Sequence, residues 1–297
     1  MFPRVPDRHK PGNPLVPNGF GVFYVLFSVI YLFLLHGFYS INSAESQNSP
    51  ALNLAVCILF GGFMGLLDDW IDLRWRYKAF LPIFAALPLG VLRQGTPIMS
   101  TYIFGKINFT QITFWIIPGE LIFYFGVIPL IVTVTTNTVN QLGGLNGLET
   151  ICPSIVLIAL MLVSNPEYRL LLYVPLAVYL VLAFFNFQGK IFVGNTGSFA
   201  VGITLASYAI IANIEQTLLI SILPYIFNSS LKLLNILFFK RTPALKVRNN
   251  KLFADHRWSL LTLIAYYKQL SERQLVSIVS LIIAVFSGLA VLVSLLF

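Results

Sequence analysis

Charge is what this 297-residue chain has least of: 10% of its residues are Asp, Glu, Lys or Arg, against 57% hydrophobic. A soluble domain carries about 25% charged residues, so a water-facing globular surface is excluded. Cysteine is nearly absent. Cys57 and Cys152 lie far apart, in or beside apolar runs. That excludes a disulfide scaffold and a CxxC redox or metal pair, and leaves two buried, inert thiols. His9, His36 and His256 are scattered, and they form neither a zinc motif nor part of a Ser–His–Asp arrangement. His36, near a span end, reads as structural. There is no P-loop, so an ATP-driven motor is excluded. No internal repeat is visible. Residues 1–18 are polar, basic and proline-rich, unlike the h-region of a cleavable signal. The apolar run after them reads as an uncleaved insertion signal.

Long apolar runs are abundant. Nine stand at about 19–38, 51–67, 79–92, 118–136, 150–164, 169–187, 198–213, 217–238 and 274–297. In lipid only helices or closed barrels satisfy the backbone, and these runs are too long and continuous for barrel strands. The expected fold is an all-α polytopic integral membrane protein of about nine transmembrane helices, a single domain over 1–297. Loops then alternate sides. One set (1–18, 68–78, 137–149, 188–197, 239–273) holds fifteen of the 19 Lys and Arg, and the opposite set holds Arg93, Lys106 and Arg169. This is the positive-inside bias, so the first set is expected in the cytoplasm, as for a multi-pass cell-membrane protein. The net charge of +8 therefore reports topology rather than nucleic-acid binding. Lys232 falls inside the eighth run. The basic stretch Lys240–Glu272 is expected to carry a short interfacial helix near Trp258–Tyr267, and Arg93–Pro118 a small hairpin about Gly105-Lys106.

Four segments with unusual chemistry fall on the expected cytoplasmic side. Asp68-Asp69-Trp70-Ile71-Asp72-Leu73-Arg74-Trp75-Arg76-Tyr77-Lys78 packs three carboxylates and three cations between two apolar runs. A solvated anchor would need the cations but not the three Asp. If the segment is helical, Asp68 and Asp72 share a face. Such carboxylates suit Mg²⁺ or a proton, and Lys78, Arg74 and Arg76 suit anionic oxygens. Asn137–Glu149 ends a span with three Asn and three Gly, more than a helix cap needs. Its glycines let backbone approach a ligand and its amides both donate and accept. Lys190–Ser198 is a Gly-rich turn into a helix N-terminus, either an anion site or an ordinary N-cap. Lys240-Arg241-Thr242-Pro243 opens the basic loop. Together they predict a polar, cationic, metal-capable cavity for a polyanionic substrate.

Asp68-Asp69, Asn137-x-x-Asn140, Gly144-Leu145-Asn146-Gly147 and Phe192-Val193-Gly194-Asn195-Thr196, in this order and spacing, resemble the polyprenyl-phosphate N-acetylhexosamine-1-phosphate transferases. The resemblance covers nearly the whole chain. Bacterial members that make the peptidoglycan lipid precursor carry Asp at the positions of Gly143 and Asn146. Gly-Gly-Leu-Asn-Gly-Leu-Glu here is closer to the eukaryotic and archaeal dolichyl-phosphate enzymes, and the short loops look archaeal. The resemblance implies transfer of GlcNAc-1-phosphate from UDP-GlcNAc to dolichyl or another polyprenyl phosphate, with UMP released, at the start of lipid-linked glycan assembly for N-glycosylation. It implies Mg²⁺ (Mn²⁺ as substitute) held by Asn140 and Asn195. Lys78 would contact phosphate, and Asp68 and Asp69 would orient or deprotonate the acceptor. Phe192 would stack on uracil with Asn146 near the base. Arg241 would read the sugar with Trp75, and Asn137, Glu149 and Lys190 would complete the substrate site. It also implies contact with membrane lipids and a homodimer.

The chain departs from the family at three points. Asn195 replaces an Asp, so neither expected metal ligand brings charge. Pyrophosphate then supplies it, or Asp68 or Asp69 moves in, or the chain is a non-catalytic homologue that binds UDP-sugar or polyprenyl phosphate. The family norm is ten spans, and the first is expected to be missing here. Asn18 replaces a Glu. A lipid or solute transporter is the different-class alternative, but its charges would sit near the midplane, with repeated halves.

Overall fold

The computed structural model describes residues 2–10, 12–42, 49–101 and 105–296. Helix follows helix. The first three are α1 (Gly21–Asn42), α2 (Pro50–Ile71) and α3 (Trp75–Phe80). Next come α4 (Ile128–Gln141), α5 (Leu148–Val163), α6 (Tyr173–Phe187) and α7 (Gly194–Ile211). Last are α8 (Glu215–Ser221), α9 (Leu223–Phe239), α10 (Leu260–Tyr267) and α11 (Glu272–Leu296). Among the described residues, five helices are long and apolar enough to cross a membrane, and α8 with α9 makes a sixth if the bent pair is one span. Large apolar side chains such as Phe27, Leu34, Phe63, Phe184 and Leu292 face outward, as lipid-facing surface does. The chain is a polytopic integral membrane protein.

Local chemistry sets the helix ends. Ser49 accepts from the Leu52 amide and Pro50 fills the first turn of α2, where a missing N–H is harmless. The apolar run at 79–92 was expected as one span. It is instead broken into the end of α3 and the short pieces Pro82–Ala85 and Leu87–Val91. Pro82 and Pro88 each open a piece, because proline cannot donate to the preceding turn. The 217–238 run bends by 57° between α8 and α9, at Ile222, two residues before Pro224. Ahead of α4, Gly119–Ile122 and a π-turn, Phe123–Val127, lead into Pro129.

α7 is the centre of the bundle. Every residue from Thr196 to Ile211 is buried, as expected of a helix enclosed on all sides. It packs against α2, α4 and α1. Small residues permit the approach. A Cβ on Gly21 would sit 2.1 Å from the Gly197 nitrogen, one on Gly65 2.3 Å from the Asn195 carbonyl, and one on Gly202 2.8 Å from Thr136 Cα. α11 packs on α5 and α8, and α6 on α5 and α1.

The expected hairpin forms between Ile98–Thr101 and Gly105–Asn108. Its first strand lies earlier than the alternation suggested, and residues 102–104 lie outside the described residues. The basic loop carries a hairpin, Lys246–Arg248 with Lys251–Phe253, and then α10 with a Ser259–Thr262 capping box. Arg4–Pro6 pairs with Leu15–Pro17 and joins the site.

Candidate active site

The C-terminal ends of α2, α4 and α6 meet the N-terminal ends of α5 and α7. The tightest junction is Asp69 on α7. Asp69 Oδ1 accepts from the Asn195 amide at 2.8 Å, and Oδ2 accepts from the Thr196 amide at 2.9 Å and its hydroxyl at 2.7 Å. The carboxylate thus caps α7 and meets the positive end of its dipole. The anion position expected at this turn is filled from within the protein. Gly194 has φ +69°, and a Cβ there would lie 2.7 Å from Asp69 Oδ2.

Asp68 does something different. It is buried. Its Oδ1 accepts from the Leu73 amide at 3.0 Å and lies 2.8 Å from Lys78 Nζ. Its Oδ2 is buried with no partner among the described residues. Asp68 and Asp72 do not share one helix face, because α2 stops at Ile71 and Asp72 turns left-handed at φ +45°. They converge through Lys78, which is 3.3 Å from Asp72 Oδ1. Burial works against the Lys78 charge, but the hydrogen bonds and charges of Asp68 and then Asp72 outweigh it and raise its pKa.

Asn140 and Asn195 are joined by a residue that sequence reasoning missed. The Ser198 hydroxyl donates to Asn140 Oδ1 at 2.7 Å and approaches the Asn195 carbonyl at 3.3 Å. The Asn195 side chain makes no hydrogen bond to any described residue.

Two cavities flank this junction. The first, of about 280 Å³, is polar and includes Asn18, Asp69, Glu149, Phe192 and Asn195. Its loop is pinned from below. Asn146 is buried, and its Nδ2 donates to Asp7 and to Glu272, each at 2.8 Å. Lys10 pairs with Asp7 at 3.0 Å. Burial opposes the Asp7 charge, yet Asn146 and Lys10 hold its pKa below the ordinary 3.8. The Glu149 carboxylate accepts from the Gly144 amide at 2.9 Å. Asn186, also missed, ties three strands of chain together. Its Oδ1 accepts from the Gly147 amide at 2.8 Å and the Thr150 hydroxyl at 3.1 Å, and its Nδ2 donates to the Ile191 carbonyl. A lone Asn ending an otherwise apolar run was the available signal for it.

The second cavity is a groove of about 480 Å³ between α3, α4 and α9, with Trp75, Lys78, Asn137, Asn140 and Lys232 at its polar part. Asn137 and Trp75 therefore border the groove and not the polar pocket. Asn137 Nδ2 donates to the Ala79 and Thr133 carbonyls. The Lys190 side chain is exposed at its turn, outside the lining of both cavities. Arg241 also lies outside them, stacked 5.5 Å over Trp258. Trp258 stacks on His256, whose Nε2 accepts from the Ala244 amide and whose Nδ1 meets Asp255 at 2.6 Å. Bonds from Lys246 and then His256 hold the exposed Asp255 carboxyl down at about 2.

The sequence pattern of glycosyl transferase family 4 matches residues 51–213, the stretch that carries both cavities' polar junction. A protein of Saccharolobus solfataricus, provisionally named a UDP-N-acetylglucosamine–dolichyl-phosphate N-acetylglucosaminephosphotransferase, is 31% identical over 96% of this chain and 86% of its own length. The Dictyostelium discoideum protein of that name is 30% identical over 75% of this chain and 62% of its own length. A phospho-N-acetylmuramoyl-pentapeptide-transferase of Streptococcus uberis is 30% identical over 74% of this chain and 64% of its own length.

Proposed function

This chain belongs to glycosyl transferase family 4, and from that premise we propose that it transfers GlcNAc-1-phosphate from UDP-GlcNAc to dolichyl or another polyprenyl phosphate. UMP is the second product. The observation that carries this reading is the pairing of cavities. A polar pocket and a largely apolar groove lie on either side of one junction, Asp68–Asp69 with Asn140, Ser198 and Asn195. A water-soluble nucleotide sugar suits the first and a lipid phosphate the second. The reaction is the first step of lipid-linked glycan assembly for N-glycosylation.

An oxygen of the lipid phosphate attacks the β-phosphorus of UDP-GlcNAc. The bond to the bridging oxygen breaks, and UMP leaves with that electron pair. Catalysis of this kind is mostly positioning and charge neutralisation. Phe192, at the edge of the polar pocket, stacks on uracil. Asn146 and Glu149 hold the loop beside it. Lys78, kept cationic by Asp68 and Asp72, contacts phosphate at the groove side. The free Oδ2 of Asp68 orients the acceptor or takes its proton. Asp69 acts through α7, fixing where Asn195 stands.

Mg²⁺ fits the donor set. Asn140 Oδ1 and the unengaged Asn195 amide oxygen are hard oxygen donors of the kind Mg²⁺ takes alongside substrate phosphates. When bound, it would neutralise charge on the pyrophosphate. The site faces the cytoplasm by the Lys and Arg bias. Cysteine labelling tests that side: a Cys at Lys251 should be reached from the cytoplasm and one at Lys106 from outside, and the reverse would overturn the orientation. The activity is tested with membranes, Mg²⁺, UDP-GlcNAc and polyprenyl phosphate. UMP release that needs both substrates supports the enzyme. Binding of UDP-GlcNAc without UMP release would sink it in favour of a non-catalytic homologue.

A further inference from the structure

Lys232 stands on α9 and lines the same groove as Lys78. Its ammonium donates to the carbonyl of Gln141, the last residue of α4. Among the described residues it has no ion pair, and no carboxylate lines the groove. Lys78 differs, since Asp68 at 2.8 Å and Asp72 at 3.3 Å offset its charge. A cation placed in apolar surroundings without a counter-ion is costly, and such residues mark sites where an anion arrives.

A second observation points the same way. Ser229 is 4% exposed and lines the groove, yet its hydroxyl has no partner among the described residues. The hydroxyl of Thr133, also in the lining, is unpartnered as well. Buried hydroxyls are normally hydrogen-bonded. An ammonium has three donors, and the Gln141 carbonyl uses one. Lys232 and Ser229, three residues apart on α9, thus line one groove with Val134, Ile226, Leu233 and Ile236, and each keeps donor capacity that no described residue takes up.

We propose that Lys232, with the Ser229 hydroxyl, binds the phosphate of the acceptor lipid and supplies the uncompensated positive charge of that subsite. This deepens the transfer reading above and rests on it. Lys78, already paired, then serves the junction and the pyrophosphate rather than the acceptor alone.

The test uses the full-length protein in lipid nanodiscs, with Lys232→Met, Lys232→Arg and Ser229→Ala. KM is read separately for polyprenyl phosphate and UDP-GlcNAc, and thermal stabilisation is compared between polyprenyl phosphate and the uncharged polyprenol. Lys232→Met is expected to raise KM for polyprenyl phosphate by about tenfold or more, with KM for UDP-GlcNAc within about twofold. It should lose the preference for polyprenyl phosphate over polyprenol. Lys232→Arg should recover most of the affinity, and Ser229→Ala should weaken it by about threefold. An unchanged KM for the lipid in Lys232→Met, or an equal rise for both substrates, overturns the proposal. If Lys232→Met fails to fold, the other two variants decide. An Arg variant as poor as an inactive one together with an unaffected Ser229→Ala counts against it. A wild-type protein that releases no UMP defeats the transfer reading alone. The phosphate-over-alcohol preference and its dependence on residue 232 still decide this one.

Discussion

Gly65→Ala adds a single methyl against the backbone of the first turn of α7 and should lower turnover about 100-fold. The new Cβ would lie 2.3 Å from the Asn195 carbonyl oxygen and 2.5 Å from Thr196 Cα, both backbone. Ordinary contact needs roughly 3.5 Å, so α2 and the first turn of α7 must part by about 1 Å. Overpacking of this kind costs about 1–3 kcal/mol. The displacement falls on the Asp69–Thr196 cap and on Asn195, and a misplacement of about 1 Å can cost roughly 100-fold in rate. Two matched variants calibrate the effect. At Gly61 the added Cβ meets the flexible end of Ile203 at 2.8 Å and Ala200 Cα at 3.1 Å, so the loss should be smaller. At Gly37 nothing lies within 4 Å, so Gly37→Ala should stay within about 0.5 kcal/mol of wild type and remain fully active. UMP release and thermal unfolding in detergent read all three. Wild-type turnover in Gly65→Ala, or equal damage from Gly37→Ala, would refute the close approach of α2 and α7 as what positions the site.

Asp69→Asn cannot accept from both Asn195 and Thr196 as the carboxylate does. Hydrogen bonds to a charged group are worth about 1.5–3 kcal/mol, so the unfolding temperature should fall along with activity, and an unchanged one would deny the capping role. Asn195→Asp adds a charged ligand beside a side chain that is now unengaged, and should lower the Mg²⁺ concentration needed for half-maximal UMP release by about tenfold. No gain would remove residue 195 from the metal site. Asp7 has its pKa held below 3.8, so its stabilising contribution is present above that value and lost as pH falls through the folded one. The gap in unfolding temperature between wild type and Asp7→Asn should therefore be constant from about pH 5 to 8 and close below about pH 4. A gap that persists there contradicts the Asp7–Asn146–Lys10 link.

The membrane-protein class, the helical segments and the polar clusters were legible because each is local: an apolar run, a change of composition, a proline. The breaks were readable in principle, since Pro82, Pro88 and Pro224 stand at the pieces that divide 79–92 and 217–238. The division of labour between Asp68 and Asp69 was not. Adjacent residues on a helix point in different directions, and which one meets α7 depends on the glycine-lined approach of two helices far apart in sequence. Asp7, Asn186 and Glu272 escaped notice for the same reason. Each is an ordinary polar residue at a loop or span end, and its role exists only once its distant partner is beside it. Ser198 looked like part of an N-cap, yet α7 begins four residues earlier, at Gly194, so its hydroxyl is free to face Asn140.

In the proposed reaction phosphorus, and not the sugar alone, moves to the lipid. UDP-GlcNAc labelled at its β-phosphorus, incubated with polyprenyl phosphate, Mg²⁺ and the purified protein, tests it directly. Label is expected in the lipid extract, joined to GlcNAc as a lipid pyrophosphate, with unlabelled UMP in the aqueous phase. Label that stays in the aqueous phase as UDP while GlcNAc appears on the lipid would mean sugar transfer, and would contradict it.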